Sequence, residues 1–174
     1  MHIDEDHLYY GAAVIQIAEH ESFTAINDHR EQGAPIECVY KVNHDKWVYL
    51  KYRTKRSRSY TDEGSRYYEY QFIFNRDSLA QIERLHAQNT PVFLGLICVQ
   101  DREICCLSHA ELLDLVGRRR RSRGIDEDQH VIYVSLREGG AFRCFVARPN
   151  TKGRRIGKPL TVARKKFPGR IFGE

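Results

Sequence analysis

Residues 36–52 read IECVYKVNHDKWVYLKY, and the fold turns on how they are read. Two runs rich in apolar, β-branched and aromatic side chains, 36–42 and 47–52, flank the polar segment Asn43-His44-Asp45-Lys46. That pattern predicts a β-hairpin. In an antiparallel hairpin the first residues of one strand lie beside the last residues of the other, so Glu37 and Lys51 are expected at one physical end.

Working outward, residues 6–20 have helical periodicity, with Asp4 or Asp6 available as a cap and Leu8, Ala12, Ile15 and Glu19 on one face. A short strand is predicted at 22–26 and a polar loop at 27–35. Downstream, 53–66 reads as a loop rich in Arg, Ser and acids. Tyr68, Tyr70, Phe72 and Phe74 then alternate with Glu69, Gln71 and Ile73, predicting a strand with one aromatic face. A helix is predicted over 76–88, with Leu79, Ile82 and Leu85 at helical spacing, and a buried strand over 92–99. A turn at 100–102 leads into a strand at 103–107. Ser108 with Glu111 three residues on forms a capping-box pattern, and the helix it opens is predicted to stop near Gly117. An Arg-rich loop at 118–130, strands at 131–136 and 141–147 and a Gly139-Gly140 turn between them complete the order. The expectation is an α/β protein with a mixed, largely antiparallel sheet flanked by helices. Residues 1–148 form its single domain and 149–174 a basic C-terminal tail, anchored by Val162, Phe167, Ile171 and Phe172.

The 174 residues, 41% of them hydrophobic, suffice for one core. The longest uncharged apolar run, 91–99, is far below the roughly 18–20 residues of a membrane span, and the acidic start Asp4-Glu5-Asp6 is the reverse of a secretory leader, so no membrane partner and a cytoplasmic location are expected. Cys38, Cys98, Cys105, Cys106 and Cys144 are odd in number, sit in apolar runs and include no C-x-x-C pair; they read as reduced thiols. The histidines show no ligand spacing.

Charge is segregated along the chain. Residues 1–50 hold nine acids and three Lys/Arg, whereas 51–174 hold twenty-five Lys/Arg and fourteen acids. Lys51, Lys55, Arg56 and Arg58 belong to one basic stretch, and Arg118, Arg119, Arg120 and Arg121 to a second. Arg154 and Arg155 fall in a third, between Glu138 and Glu174, that contains ten Lys/Arg and no acid. Solvated loops produce such runs too, but three of them favour a polyanion, because each neutralised phosphate releases counterions. Nucleic acid, DNA foremost, is the expected partner. A second copy of the chain or another protein stays open.

A helix bearing Glu19, a strand bearing Glu37 and a hairpin into a strand ending at Lys51, followed by helix and strand, resembles the core of the PD-(D/E)xK nuclease superfamily. The resemblance covers residues 6–117 and implies a restriction-endonuclease-like fold. It implies Glu19 and Glu37 as ligands of Mg²⁺ and Lys51 as the catalytic lysine beside it. Such a site uses the cation to polarise the phosphoryl oxygen and generate hydroxide. Two residues before Lys51 the family places an acid and this chain places Tyr49, whose phenol, with a pKa of about 10, does not replace a hard anionic ligand. Two readings follow: a metal-dependent nuclease with an incomplete motif, or a non-catalytic module that binds DNA or a protein. A third is an unrelated α/β interaction protein whose basic segment docks an acidic partner.

Overall fold

The computed structural model describes residues 1–30, 38–149 and 154–174. Ten strands and three α-helices are found among them: α1 (Glu5–Ala18), β1 (Ile26–His29), β2 (Cys38–Val42), β3 (Lys46–Arg53), β4 (Arg58–Asp62), β5 (Ser65–Asn75), α2 (Arg76–His86), β6 (Val92–Cys98), β7 (Glu103–Ser108), α3 (His109–Arg123), β8 (Gln129–Leu136), β9 (Phe142–Ala147) and β10 (Arg155–Val162). The α/β class with largely antiparallel strands and flanking helices stands. The strands are divided over two five-stranded sheets, ordered β1-β2-β3-β6-β7 and β10-β9-β8-β5-β4. Only β3 and β6 run parallel; every other neighbouring pair is antiparallel.

The hairpin forms as its sequence predicts, with Cys38 opposite Leu50 and Val42 opposite Lys46. Asn43 and His44 take left-handed backbone conformations in its turn. Alternation along β3 then separates two cores. Trp47 and Tyr49 face the second sheet, in a core shared with Tyr70, Phe72 and Phe74 of β5, Leu79, Ile82 and Leu85 of α2, and Leu112, Leu115 and Val116 of α3. Val48 and Leu50 face the other way, onto Ala13 and Ile17 of α1 and onto Phe167 and Ile171. The face of α1 that packs is thus the one carrying Ala13 and Ile17. Leu8 and Ile15, on the face read from the sequence as shared with Glu19, are 57% and 59% exposed.

Three further segments depart from expectation. The predicted loop 53–66 contains β4, which pairs with β5 through a turn whose Glu63 and Gly64 both have positive φ. The capping box of Ser108 and Glu111 forms, but α3 continues past Gly117 and through the arginines, ending at Gly124 in the left-handed conformation. Arginine is a good helix former, and Gly supplies the positive φ that closes the helix. The predicted basic tail supplies β10 and then a short 3₁₀ turn, Gly169–Phe172. That turn seats Ile171 beneath the first sheet. Gly95, opposite Leu50, makes the seat possible: a Cβ there would lie 2.7 Å from Leu50 Cδ2 and 3.5 Å from the ring of Phe167.

All five cysteines are free, four of them buried. Cys105 of β7 and Cys144 of β9 approach to 3.7 Å between sulfurs, where the two sheets meet. No helix among the described residues is long and apolar enough to cross a membrane.

Candidate nucleic-acid interface

Glu19 and Lys51, expected beside one metal ion, lie on opposite sides of the first sheet. Glu19 is the exposed C-cap of α1, whose packing face lies on the Val48 and Leu50 side of the first sheet. Lys51 lies on the opposite face, its Nζ 5.5 Å from the centre of the Phe74 ring. Glu37 falls outside the described residues. Tyr49 is fully buried and faces Phe74 at 6.2 Å between ring centres. The position two before the lysine is a core position. Among the described residues no three His, Cys, Asp or Glu side chains are grouped to hold a metal ion.

The basic stretches are largely occupied with carboxylates of the same chain. Arg56 donates to Asp101 from Nε at 2.9 Å and from Nη2 at 2.5 Å, while its guanidinium lies 3.6 Å from the centre of the Tyr68 ring. The Arg56 guanidinium holds the Asp101 carboxyl below its usual range, against the opposing effect of partial burial; the Tyr70 hydroxyl, donating at 2.6 Å, adds to the depression. Burial pushes the Tyr70 hydroxyl up in turn, with Asp101 acting in the same direction. On α3, Arg118 donates to Asp114 at 2.6 Å and to the carbonyl of Lys158 on β10 at 2.6 Å. Arg119 pairs with Glu127, and Arg120 with Asp126 at 2.9 Å. The Arg119 and Arg120 guanidinium groups lower the pKa of Glu127 and Asp126 respectively. Lys55, Arg121 and Arg154 are exposed.

The most unusual arrangement lies on the second sheet, on the face away from the core. Glu69 of β5 is fully buried there although its strand neighbours Tyr70 and Phe72 fill the core behind it. Its Oε1 accepts from Arg58 Nε at 2.6 Å, and its Oε2 accepts from Arg155 Nη2 at 2.6 Å and from Ser135 Oγ at 2.7 Å. Arg58 and Ser135 stand directly across from Glu69 on β4 and β8. Arg155 arrives from β10, at the other edge of the sheet. Its guanidinium is 4.2 Å from the centre of the Tyr60 ring and 4.3 Å from that of Phe145. Tyr60 stacks on Tyr67 at 5.3 Å, and Arg143 lies 4.4 Å over Tyr67 while donating to Asp62 at 2.8 Å.

These contacts fix the shape of the sheet. Four interstrand spacings separate β4 from β10, about 19 Å in a flat sheet. Side chains standing on a flat sheet do not bridge that gap, so the sheet is curled into a trough whose two rims meet through Arg155 and Tyr60. A register shift in β10 between Ile156 and Leu160, with Gly157 at φ +70°, bends one rim, as bulges do. Beyond Phe145 the same face runs into a cleft of about 310 Å³ lined by Arg119, Glu127, Asp128, Gln129, Val131 and Ala147.

Of the nucleic-acid contacts named from sequence, the structure therefore brings Arg58 and Arg155 together and places Arg119 at the trough's far end. Reasoning on the sequence missed Glu69 as their partner, and Tyr60, Tyr67, Arg143 and Phe145 as their supports. A signal for Tyr60 was present: Arg58 to Asp62 precede Glu63-Gly64, a turn signal followed directly by the aromatic strand. No family model matches the chain, and no curated protein or solved structure matches it.

Proposed function

We propose that this protein is a non-catalytic nucleic-acid-binding module whose contact surface is the curled second sheet with the adjoining end of α3. The observation that carries this reading is the layer of guanidinium groups resting on aromatic rings across one sheet face: Arg143 on Tyr67, and Arg155 between Tyr60 and Phe145. A ring beneath a guanidinium fixes its plane, and the Arg143 and Arg155 side chains, though paired with Asp62 and Glu69, keep 24% and 20% of their surface exposed to a ligand. The exposed Arg121 and Arg154 add charge that the folded chain does not bury. The alternative of metal-dependent cleavage draws no support from the geometry, since Glu19 and Lys51 sit on opposite faces of the first sheet.

The test is equilibrium binding of fluorescent DNA oligonucleotides across a salt series. Log affinity should fall linearly with log salt, and Arg121→Ala with Arg154→Ala should shallow the slope by about two phosphate contacts. Absence of binding at low salt, or an affinity indifferent to salt, would overturn the reading.

A further inference from the structure

We propose that the ligand of the trough is a single strand, and that duplex nucleic acid is excluded from it. This rests on the nucleic-acid reading above and narrows it to a substrate class.

The first argument is width. The rims of the curled sheet touch through side chains: Arg155 of β10 lies 4.2 Å from the Tyr60 ring on β4, and Arg143 of β9 donates to Asp62 of β4 at 2.8 Å. A duplex is a stiff rod, and proteins read it by inserting an element into a groove about 12 Å or 6 Å wide. A concave sheet with its rims in contact presents no such element and leaves no room for the rod. A flexible single strand can thread along the mouth, where the Arg58 side chain remains 40% exposed.

The second argument is the chemistry of the surface. The Arg143 guanidinium, backed by Tyr67 alone, forms a flat cationic platform that complements a base face, while Arg155, held between Tyr60 and Phe145, fixes the rings that line the mouth. Base faces are hidden in a duplex stack and open in a single strand. The third argument is the state of two donors. Arg155 Nε and Tyr60 Oη are buried and have no hydrogen-bond partner among the described residues, although they belong to the same stacked pair. Buried donors of this kind are costly unless an acceptor arrives. A phosphate oxygen or a base carbonyl supplies one once the Arg155–Tyr60 contact parts to admit the strand.

Fluorescence anisotropy on the full chain, with single-stranded DNA, single-stranded RNA and duplex DNA of one sequence and length, decides the matter. Either single strand should bind at least about tenfold more tightly than the duplex at equal salt, and the two single-strand arms show which sugar the trough prefers. Arg155→Lys keeps the charge and removes the plane, so it should bring single-strand affinity down to the duplex level while the salt dependence persists. Arg58→Lys provides the same comparison should Arg155→Lys fail to fold, as judged by circular dichroism. Duplex bound as tightly as single strand overturns the inference and leaves the nucleic-acid reading standing. No binding to any of the three overturns both. A single-strand preference unaltered in both lysine variants places it outside the trough and overturns the assignment.

Discussion

Arg155 on β10 and Tyr60 on β4 occupy opposite edges of one five-stranded sheet, yet the guanidinium lies 4.2 Å from the ring centre. The contact closes the trough, and the carboxylate beneath it, Glu69, holds Arg155 and Arg58 in place from inside the fold.

Glu69→Gln tests how that arrangement divides between stability and binding. Removing one partner of a buried ion pair leaves the remaining charges uncompensated, and the variant should lose about 3 kcal/mol in urea unfolding. The two arginines, no longer neutralised internally, should steepen the salt dependence of nucleic-acid binding by about one phosphate contact. A variant as stable as the natural protein would show that the pairing seen at 2.6 Å carries no net energy.

Tyr49→Glu, the change that would restore the acid of a nuclease motif, is expected to damage the core instead. The side chain is fully buried against Phe74, between the two sheets. Burying a carboxylate there should cost about 4 kcal/mol or more, read as a fall in the denaturation midpoint. Preserved stability together with new cleavage in Mg²⁺ would revive the enzymatic reading.

Acid should weaken the fold in two stages. His130 is 1% exposed, with Nε2 3.7 Å from Asp126 Oδ1 but no hydrogen bond at either ring nitrogen among the described residues, and its pKa is lowered, first by burial and then by Arg120, against the opposing pull of Asp126. Its neutral form is the folded form, so the unfolded chain binds the extra proton and stability falls as pH drops through about 6.5. Asp101 and Glu127, held below the usual carboxyl range by Arg56 and Arg119, contribute stability that is complete above about pH 5 and lost as pH falls further, through their folded values. Thermal melts across pH should show both stages, and His130→Phe should remove the upper one.

Phe167→Ala should destabilise by about 3–5 kcal/mol. Its ring is 7% exposed and lies in the space that Gly95 leaves open over Leu50. A neutral result would mean that the segment after β10 only rests on the first sheet.

What the sequence disclosed and what it hid have separate physical causes. The hairpin of β2 and β3 was legible because both strands carry β-branched and aromatic residues around a polar turn, and the start of α3 because Ser108 and Glu111 satisfy each other's backbone donors. The length of α3 was not. Gly117 suggested a stop, but within the helix it lies beneath the folded-over Arg121, whose Nη1 is 3.1 Å from where a Cβ would stand. β10 was obscured by its composition: Gly157, Lys158 and Pro159 look like a tail, and only a position at a sheet edge tolerates a proline lacking an N–H. The trough was the least legible part, because Tyr60, Glu69, Arg143 and Arg155 are spread over four strands and meet only once the sheet curls. The charge runs pointed to phosphate but could not show that Arg56, Arg118, Arg119 and Arg120 are already engaged with acids of the same chain.

The bed of α1 is built from Val48 and Leu50 of β3 together with Phe167 and Ile171, which lie far away in sequence. His20, just past that helix, stacks on Phe172 at 4.2 Å between ring centres, and its Nε2 is 3.2 Å from a carboxylate oxygen of Glu174. Ala13 and Ile17 thus share one apolar layer with Phe167 and Ile171, residues far apart in sequence. Such non-local contacts form slowly, so this layer should close after the local hairpin of β2 and β3.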